Sequence, residues 1–291
     1  MTIDIAFSLN KGIALSLVVA MNSVAKNTAQ PAALRFNVAV PTGEGAFFQA
    51  MLDKAFPDRS FDLRLQEYLP PEYMQFYLIK KFSRSTGDRR IGRFMQYSRL
   101  FLGQVFPGLG KTIYLDTDIL VLGDVQQLYT RVESFTPERY FAAVAQFFPS
   151  FFYFSNPQRM WGEIRQFQRS FNSGVILTDF SYWDQATYNR LRYYLNLDAS
   201  RNYRLFNLGD ETVLNLMFKD YIPLDHNWNR CGYGNHQLLT RFLASGETFL
   251  NTAKAIHWSG GHHKPWSSPV APFTDLWRSY LPPAFQSIEG G

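Results

Sequence analysis

Two aspartates interrupt an apolar segment near the middle of the chain, Tyr114-Leu115-Asp116-Thr117-Asp118-Ile119-Leu120-Val121. The β-forming residues on both sides predict a strand, and an ionised carboxylate is costly to bury there without a partner. Because Asp116 and Asp118 are two residues apart, extended chain would place both side chains on the same side, where they can converge on one divalent cation. Oxygen ligands favour Mg²⁺ or Mn²⁺. The alternative is a strand end whose two acids simply face water.

The segments around this motif predict an α/β fold in one domain. Strand patterns at residues 3–7, 34–40 and 61–65 alternate with helical patterns at 13–27 and 44–55. This alternation favours a mostly parallel, Rossmann-like central sheet with helices on both faces. Ligands of such sheets collect at the carboxyl ends of the strands, which is where the two aspartates lie. With 291 residues, the chain is long enough for one large core.

The composition favours a globular protein that acts on small, polar ligands. Aromatic residues make up 17% of the chain, and rings in a cleft suit flat or amphipathic ligands such as bases and sugars. The net charge of +5 fits phosphate-bearing ligands. A basic cluster at residues 80–93 has no RNA-binding motif or zinc spacing beside it, so we expect no nucleic-acid partner.

Cysteine content and hydropathy predict a cytoplasmic protein. The single cysteine, Cys231, excludes an internal disulfide and fits a reducing compartment. The apolar stretch at residues 13–20 is shorter than the roughly 20 residues that span a bilayer. The tail at 271–291 contains one Arg and no Lys, so a stable membrane anchor is not expected, while peripheral contact with the inner face of the membrane stays open.

Further along the chain, four segments combine polar or aromatic residues in ways that suggest a site. A strand pattern at 171–179 begins with Asn172, Ser173 and Gly174, where a ligand can approach the backbone. Asp210 and Glu211 follow Gly209 at the start of a predicted helix, where capping would account for one acid but not both. The aromatic run Phe147–Phe154 is interpreted first as buried, with a lid or a docking surface as alternatives. The densest polar and aromatic segment is Trp258–Trp266.

Taken in order, these motifs resemble glycosyltransferase family 8, the retaining, metal-dependent group that includes glycogenin and bacterial lipopolysaccharide galactosyl- and glucosyltransferases. The resemblance covers about nine tenths of the chain. It rests on the order and spacing of five motifs: Tyr97-Ser98-Arg99-Leu100, the Asp116-Thr117-Asp118 segment, Phe171-Asn172-Ser173-Gly174-Val175, Gly209-Asp210-Glu211 with Leu214-Asn215, and His257 followed by Gly260 and Lys264-Pro265-Trp266. It implies a GT-A fold over residues 1–270, with 271–291 as a tail packed on it or trailing from it.

The resemblance also implies a nucleotide-diphosphate sugar donor, a UDP-sugar by family default, held on Mn²⁺ or Mg²⁺. Asp116, Asp118 and His257 would ligate the ion, and Lys264 would add a second positive charge beside the leaving diphosphate. The acceptor would be a saccharide or a lipid-linked glycan. The remaining donor-binding residues that it implies are Asn10, Arg99, Thr117, Asn172, Ser173 and Gly260, with Asp210 and Glu211 near the anomeric carbon.

The chain departs from the family pattern at four places, one of which is a final motif one residue longer than the short form expected. Glu211 is a carboxylate where relatives commonly have an amide, so it could stabilise an oxocarbenium ion or act as a nucleophile. Gln146 stands where many relatives have Asp. In the first loop the acid and the uracil-stacking aromatic are missing, with Lys11 after Asn10, which leaves the base open. Two other functions therefore remain: an inactive nucleotide-sugar-binding protein, and a glycoside hydrolase that uses Asp210 or Glu211.

Overall fold

A computed structural model describes residues 1–131, 135–146, 150–167, 169–235 and 248–286. Within these ranges a seven-stranded sheet has the order β3-β2-β1-β4-β7-β6-β8, and a separate two-stranded sheet pairs β5 with β9. The strands are β1 Ile3–Ser8, β2 Leu34–Val40, β3 Asp62–Glu67, β4 Lys111–Leu115, β5 Ile119–Val121, β6 Phe141–Ala145, β7 Phe171–Asp179, β8 Ile222–Leu224 and β9 Ala255–His257.

Helices cover the central sheet, as the strand and helix alternation predicts. The α-helices of the described ranges are α1 Ala14–Asn27, α2 Gly45–Ala55, α3 Glu72–Lys81, α4 Gly87–Ser98, α5 Leu102–Val105, α6 Val125–Arg131, α7 Trp161–Ile164, α8 Gln185–Ala199, α9 Asp210–Met217, α10 Thr248–Thr252, α11 Thr274–Arg278 and α12 Pro283–Gln286. Every residue of β1 is buried, which is typical of a parallel strand covered on both faces. The predicted α/β fold with a mostly parallel sheet is confirmed.

One strand, β7, runs against the direction of the others, and this reversal builds the site. It is antiparallel to both β4 and β6, so its amino end lies at the same edge of the sheet as their carboxyl ends. Ala143 pairs with Ile176, whereas the next residue, Val144, pairs with Asn172. Residues 173–175 therefore bulge opposite β6, and a bulge is a common device for re-aiming side chains beside a functional site.

The small sheet joins the middle of the chain to a segment far along it. Strand β5 pairs antiparallel with β9, and Ile119 lies opposite His257. The Trp258 N–H donates to the Asp118 carbonyl at 3.0 Å. Because Asp118 directly precedes β5 and His257 ends β9, the pairing places these two side chains next to each other.

The described residues of two segments show how the chain packs outside the sheets. After residue 270, Trp277 and Leu281 are buried, and Asn22 donates to the Tyr280 carbonyl at 2.7 Å. In the aromatic run, residues 147–149 lie outside the described ranges, Tyr153 and Phe154 are buried, and Phe151 and Phe152 are each about half exposed. The prediction of burial is therefore wrong for Phe151 and Phe152. Among the described residues, no helix combines the length and hydropathy needed to cross a membrane.

Candidate active site

Two carboxylates and an imidazole converge beyond the end of β4. One ligand atom from each of Asp116, Asp118 and His257 lies within 4.8 Å of the others. His257 Nε2 is 3.1 Å from Asp118 Oδ1 and 3.9 Å from Asp116 Oδ2. Carboxylate oxygens with one imidazole nitrogen form a donor set suited to Mn²⁺. The chemistry of the three side chains therefore fits the implied metal.

The two aspartates converge by a different route from the one that extended chain predicts. Strand β4 ends at Leu115 and β5 begins at Ile119, so residues 116–118 form a turn between two strands. The Asp116 N–H donates to the Gly174 carbonyl at 2.8 Å, which fixes this turn against the bulge of β7. The predicted extended geometry is thus wrong, because the chain leaves one sheet and enters the other at this point.

Lys264 supplies a cation on the open side of Asp118. Its Nζ is 2.6 Å from Asp118 Oδ2 and also donates to the Trp258 carbonyl. Burial would raise the pKa of Asp118, but the neighbouring Lys264 and His257 outweigh it and hold this pKa below its ordinary value. Asp118 is therefore an anion across the neutral pH range, as a metal ligand needs to be.

Arg99 is a buried cation that connects three parts of the site. Its guanidinium donates to Asp116 Oδ1 at 2.7 Å, to the Ser173 carbonyl at 2.8 Å, and pairs through Nε with Asp210 Oδ2 at 2.9 Å. It also stacks over the Tyr114 ring at 4.5 Å. Burial would lower the pKa of Arg99, but Asp116 and Asp210 outweigh it and raise this pKa. The side chain of Arg99 thus fixes the geometry of groups that face the cavity.

Asp210 and Glu211 open helix α9, yet neither serves as its cap. The N-cap residue is Gly209, whose φ of 61° lies in the left-handed region. Asp210 is buried, and its Oδ1 accepts from Gln96 Nε2 at 2.6 Å, whereas its Oδ2 is held by charge at 2.9 Å from Arg99 Nε, whose N–H donates to the Gln96 carbonyl. Burial raises the pKa of Asp210, and Arg99 offsets part of that rise. The predicted capping role is wrong, because both acids are held by side chains from outside the helix.

Glu211 is surrounded by hydrogen-bond donors from three segments. Its Oε1 accepts from the Tyr153 hydroxyl at 2.9 Å and from Gln146 Nε2 at 3.1 Å. Its Oε2 accepts from Asn172 Nδ2 at 2.7 Å and from the Ser173 N–H at 3.1 Å. Burial raises the pKa of Glu211, and the Ser173 and Tyr153 hydrogen bonds offset part of that rise. Gln146 and Glu211, two of the positions where the chain departs from the family pattern, therefore contact each other directly.

A cavity of about 270 Å³ opens beside the two aspartates. It is slightly smaller than the roughly 300–1,000 Å³ of typical ligand pockets. Larger cavities, of about 560, 540, 390 and 320 Å³, lie elsewhere in the described part of the chain, and none of these four is lined by a residue of the Asp116–Asp118 turn. Residues from four segments, 8–13, 92–99, 116–118 and 264–266, line the smaller one, including Leu9, Asn10, Ile13, Gln96, Arg99, Asp116, Thr117, Asp118, Lys264 and Trp266.

The cavity lining places the predicted donor-binding residues in two groups. Asn10, Arg99, Thr117 and Lys264 face the cavity, whereas Asn172 and Ser173 lie behind it, bonded to Glu211. Trp266, which the sequence motif contains without a role, adds an indole to the lining. At the Asn10 end, Leu9 and Ile13 provide aliphatic surface where the family pattern has an aromatic ring.

Gly260 has a packing role in the segment that carries Lys264. Its φ is 109°, and a Cβ there would lie 2.4 Å from Asn235 Oδ1 and 2.8 Å from the Gly234 carbonyl carbon. A side chain at this position would therefore displace the 258–264 segment from the 232–235 turn. A Cβ on Gly261 would meet nothing within 4 Å, so close approach of a ligand is geometrically open at Gly261.

Solved structures of similar fold define the class to which this architecture belongs. The chain matches two LgtC structures, an active-site mutant and the galactosyltransferase in complex with donor and acceptor sugar analogs, at TM-scores of 0.68 and 0.67. Sequence identities are 20% and 19%, over 96% of this chain and 95% of LgtC in both cases. The glycosyltransferase GlyE of Streptococcus pneumoniae TIGR4 matches with a TM-score of 0.65 and 20% identity, over 96% of this chain and 61% of GlyE. The fold is the GT-A fold of glycosyltransferases.

Sequence comparison then identifies the family. The model of Glycosyl transferase family 8 matches residues 4–269. Probable galacturonosyltransferase-like 6 of Arabidopsis thaliana is 24% identical over 96% of this chain and 79% of its own length. Probable galacturonosyltransferase-like 2 of the same plant is 30% identical over 67% of this chain and 60% of its own length. The chain belongs to glycosyl transferase family 8, and it is a glycosyltransferase.

Proposed function

We propose that the protein is a metal-dependent, retaining glycosyltransferase that moves a hexose or hexuronic acid from a nucleotide-diphosphate sugar, with UDP as the nucleotide, to a hydroxyl of a glycan. The observation that supports this proposal best is the convergence of Asp116, Asp118 and His257 within 4.8 Å, beside Lys264 and an open cavity. Hexuronic acid is included because the plant relatives are described as galacturonosyltransferase-like.

Each side chain of the site has a defined part in this proposal. Asp116, Asp118 and His257 hold Mn²⁺ or Mg²⁺, which when bound neutralises the diphosphate of the donor. Lys264 places an ammonium next to the same position, where it stabilises negative charge on the leaving diphosphate. Asn10 and Thr117 face the cavity and offer polar contacts to the nucleoside, and Trp266 offers a ring face to it.

Glu211 is proposed to stabilise positive charge at the anomeric carbon, without forming a bond to it. Four donors already occupy its two oxygens, so its lone pairs are less available for attack than those of a free carboxylate. Asp210 has a supporting part, since its Oδ1 accepts from Gln96 and its Oδ2 forms a buried ion pair with Arg99. This engagement of Asp210 also disfavours a glycoside hydrolase in which Asp210 and Glu211 act as acid and base.

Cellular location and chain organisation complete the proposal. We infer a cytoplasmic enzyme with a glycan or lipid-linked glycan acceptor, acting in solution or at the inner face of the membrane. Residues 1–270 form the catalytic domain in this proposal, and 271–291 form a tail whose described part, residues 271–286, packs on it. Phe151 and Phe152 are exposed directly before Tyr153, which contacts Glu211, and so lie where an acceptor sugar could stack on them.

The proposal predicts sugar transfer that requires a divalent cation. Purified protein is expected to hydrolyse or transfer from at least one of UDP-glucose, UDP-galactose and UDP-galacturonate with Mn²⁺, to lose this activity in EDTA, and to regain it when Mn²⁺ is restored. A donor at 100 times its Kd should also add about 2.7 kcal/mol to the free energy of unfolding. Thermal unfolding with UDP-, GDP- and other nucleotide sugars, with and without Mn²⁺, identifies the base. Binding without turnover would instead support an inactive nucleotide-sugar-binding protein.

Replacing Glu211 by Gln is expected to lower kcat by about 10- to 100-fold. The variant keeps the geometry once the Gln146 amide turns over. Gln Oε1 can then accept from Asn172 and Ser173, while its amide donates to Tyr153 and to the Gln146 oxygen, and the Tyr153 hydroxyl turns to the Phe171 carbonyl at 3.1 Å. Only the charge is lost. Since burial raises the pKa of Glu211, the wild-type rate should fall with decreasing pH at a higher pH than for an ordinary Glu, and this limb should vanish in Glu211→Gln.

The matched control returns a carboxylate to the same hydrogen-bonded pair. Glu211→Gln combined with Gln146→Glu restores one acid and one amide 3.1 Å apart, and should recover part of kcat. A loss of more than about 10⁴-fold in Glu211→Gln, equal to about 5 kcal/mol, would show instead that Glu211 is the nucleophile. Turnover within twofold of wild type would contradict both roles.

A further inference from the structure

The imidazole of His257 is oriented by a chain of hydrogen bonds that begins at the backbone. The Gly174 N–H, which can only donate, is 3.0 Å from Asn172 Oδ1. This contact fixes which atom of the Asn172 amide is the oxygen. Asn229 donates to the same oxygen through Nδ2 at 2.9 Å, so the orientation of the Asn229 amide is fixed as well.

This orientation determines the tautomer of His257. With Nδ2 of Asn229 directed at Asn172, the Asn229 Oδ1 faces His257 Nδ1 at 2.9 Å and can only accept. His257 Nδ1 therefore carries a proton, and the ring nitrogen left to bind an ion is Nε2, which faces Asp118 and Asp116. That is the nitrogen a metal ion would need.

We propose that Asn229 is a positioning residue that prepares His257 to bind the divalent cation. The inference rests on the proposed function, since it requires the ion at Asp116, Asp118 and His257. Asn229 and His257 are 4% and 2% exposed, so water does not replace the hydrogen bond between them if the amide is removed. Strand β7 restrains the ring from another side, because a Cβ on Gly174 would lie 2.2 Å from His257 Cε1.

Asn172 extends the same chain of hydrogen bonds to Glu211. Its Nδ2 donates to Glu211 Oε2 at 2.7 Å, while its Oδ1 accepts from the Gly174 N–H and from Asn229 Nδ2. One amide therefore fixes the imidazole on one side and the carboxylate on the other. Asn229 is linked to Glu211 only through Asn172, which keeps the Gly174 N–H as a second donor, so replacement of Asn229 should affect metal binding more than the later chemical step.

The test is Mn²⁺ binding to Asn229→Leu in the absence of any donor. Removing a partner that orients a ligating histidine typically costs 10- to 100-fold in metal affinity, and we expect a weakening in this range by calorimetry or by electron paramagnetic resonance of free Mn²⁺. Asn229→Asp keeps an acceptor for the Nδ1 proton but loses the donor to Asn172 Oδ1, and it should bind Mn²⁺ more tightly than Asn229→Leu. Asn227→Ala, on the same short helix of residues 226–229 but bonded to Arg230, is the matched control and should bind like wild type.

A second measurement does not depend on any variant. Long-range ¹H–¹⁵N spectra of the wild-type protein saturated with Mg²⁺, which is diamagnetic, should show a proton on Nδ1 of His257. An Nε2-protonated ring, or a folded Asn229→Leu that binds Mn²⁺ as tightly as wild type, would overturn the inference while leaving the proposed function intact. Failure of the wild-type protein to bind Mn²⁺ or Mg²⁺ would overturn the proposed function and this inference together.

Discussion

Asp118→Asn is expected to lower kcat/KM for sugar transfer by about 10³-fold, equal to about 4 kcal/mol of transition-state stabilisation. The substitution keeps the size of the side chain and removes one negative charge from the set that holds the ion. It also releases Lys264, whose Nζ is 2.6 Å from Asp118 Oδ2, from its anionic partner. Two sources of positive charge beside a departing diphosphate are thus weakened together, because the metal ion binds less tightly and the Lys264 ammonium is displaced.

Asp118 is a more informative position than Asp116 for this test. Asp116 also accepts from Arg99 and from the Tyr114 hydroxyl, so its replacement would disturb the bulge of β7 along with the metal. Steady-state kinetics over a range of Mn²⁺ concentrations measure the effect of Asp118→Asn. Asp53→Asn, on the exposed side of α2, is the control and should leave the kinetics unchanged. Metal-dependent transfer above a tenth of the wild-type kcat/KM would contradict the assignment.

The sequence predicts the framework well because its signals are local. Strand β2 has the predicted bounds, and α1 and α2 begin one residue after the predicted positions, since apolar periodicity and flanking turn residues act within a few residues. The five motifs also identify the family, because their order along the chain survives at about 20–30% identity to relatives and solved structures.

The geometry of the site depends on contacts that no local pattern encodes. His257 meets Asp118 because β9 pairs with β5, and these strands are more than a hundred residues apart in the sequence. The reversal of β7 likewise brings Asn172 and Ser173 to Glu211, and from sequence alone Asp210 and Glu211 look like an ordinary helix start. Tyr153 and Asn229 had no stated role for the same reason: an aromatic run and a lone Asn predict burial or a turn, without indicating which carboxylate or imidazole they contact.

The second large effect is expected on stability, at an ion pair that supports the segment leading into α9. Lys81 Nζ is 2.7 Å from Asp198 Oδ2, and the two side chains are 5% and 0% exposed. The Tyr77 hydroxyl donates to the same oxygen at 2.6 Å. Asp198 Oδ1 accepts from the Leu205 and Phe206 N–H groups at 2.7 and 3.1 Å. The buried ion pair of Asp198 and Lys81 therefore anchors the backbone at residues 205 and 206, which lead to Gly209 and the site.

Asp198→Asn is expected to reduce the free energy of unfolding by about 3–5 kcal/mol at pH 7, because it leaves the Lys81 ammonium buried without its anion. The Asn oxygen can still accept from the Leu205 and Phe206 N–H groups, so these backbone contacts stay, while the Lys81 ammonium and the Tyr77 hydroxyl lose their acceptor. Denaturant unfolding followed by circular dichroism measures the difference. Adding Lys81→Met should recover most of the loss, since the unpaired charge is then gone, and Asp53→Asn at the exposed pair with Arg59 should leave stability unchanged.

The pH dependence gives the sign of the charge effect independently. Burial lowers the pKa of Lys81, and Asp198 offsets part of that shift, so removal of the carboxylate should lower this pKa further. A lysine with a lowered folded-state pKa binds fewer protons in the folded than in the unfolded protein between that pKa and about 10.4, and stability rises with pH across this window. This window begins at a lower pH in Asp198→Asn. The deficit in the free energy of unfolding of the variant relative to wild type should therefore shrink as pH rises from 7 toward 10. A deficit that stays constant over this range, or one below about 1 kcal/mol at pH 7, would show that Lys81 is not stabilised by Asp198 and that the anchor acts through the Leu205 and Phe206 N–H groups.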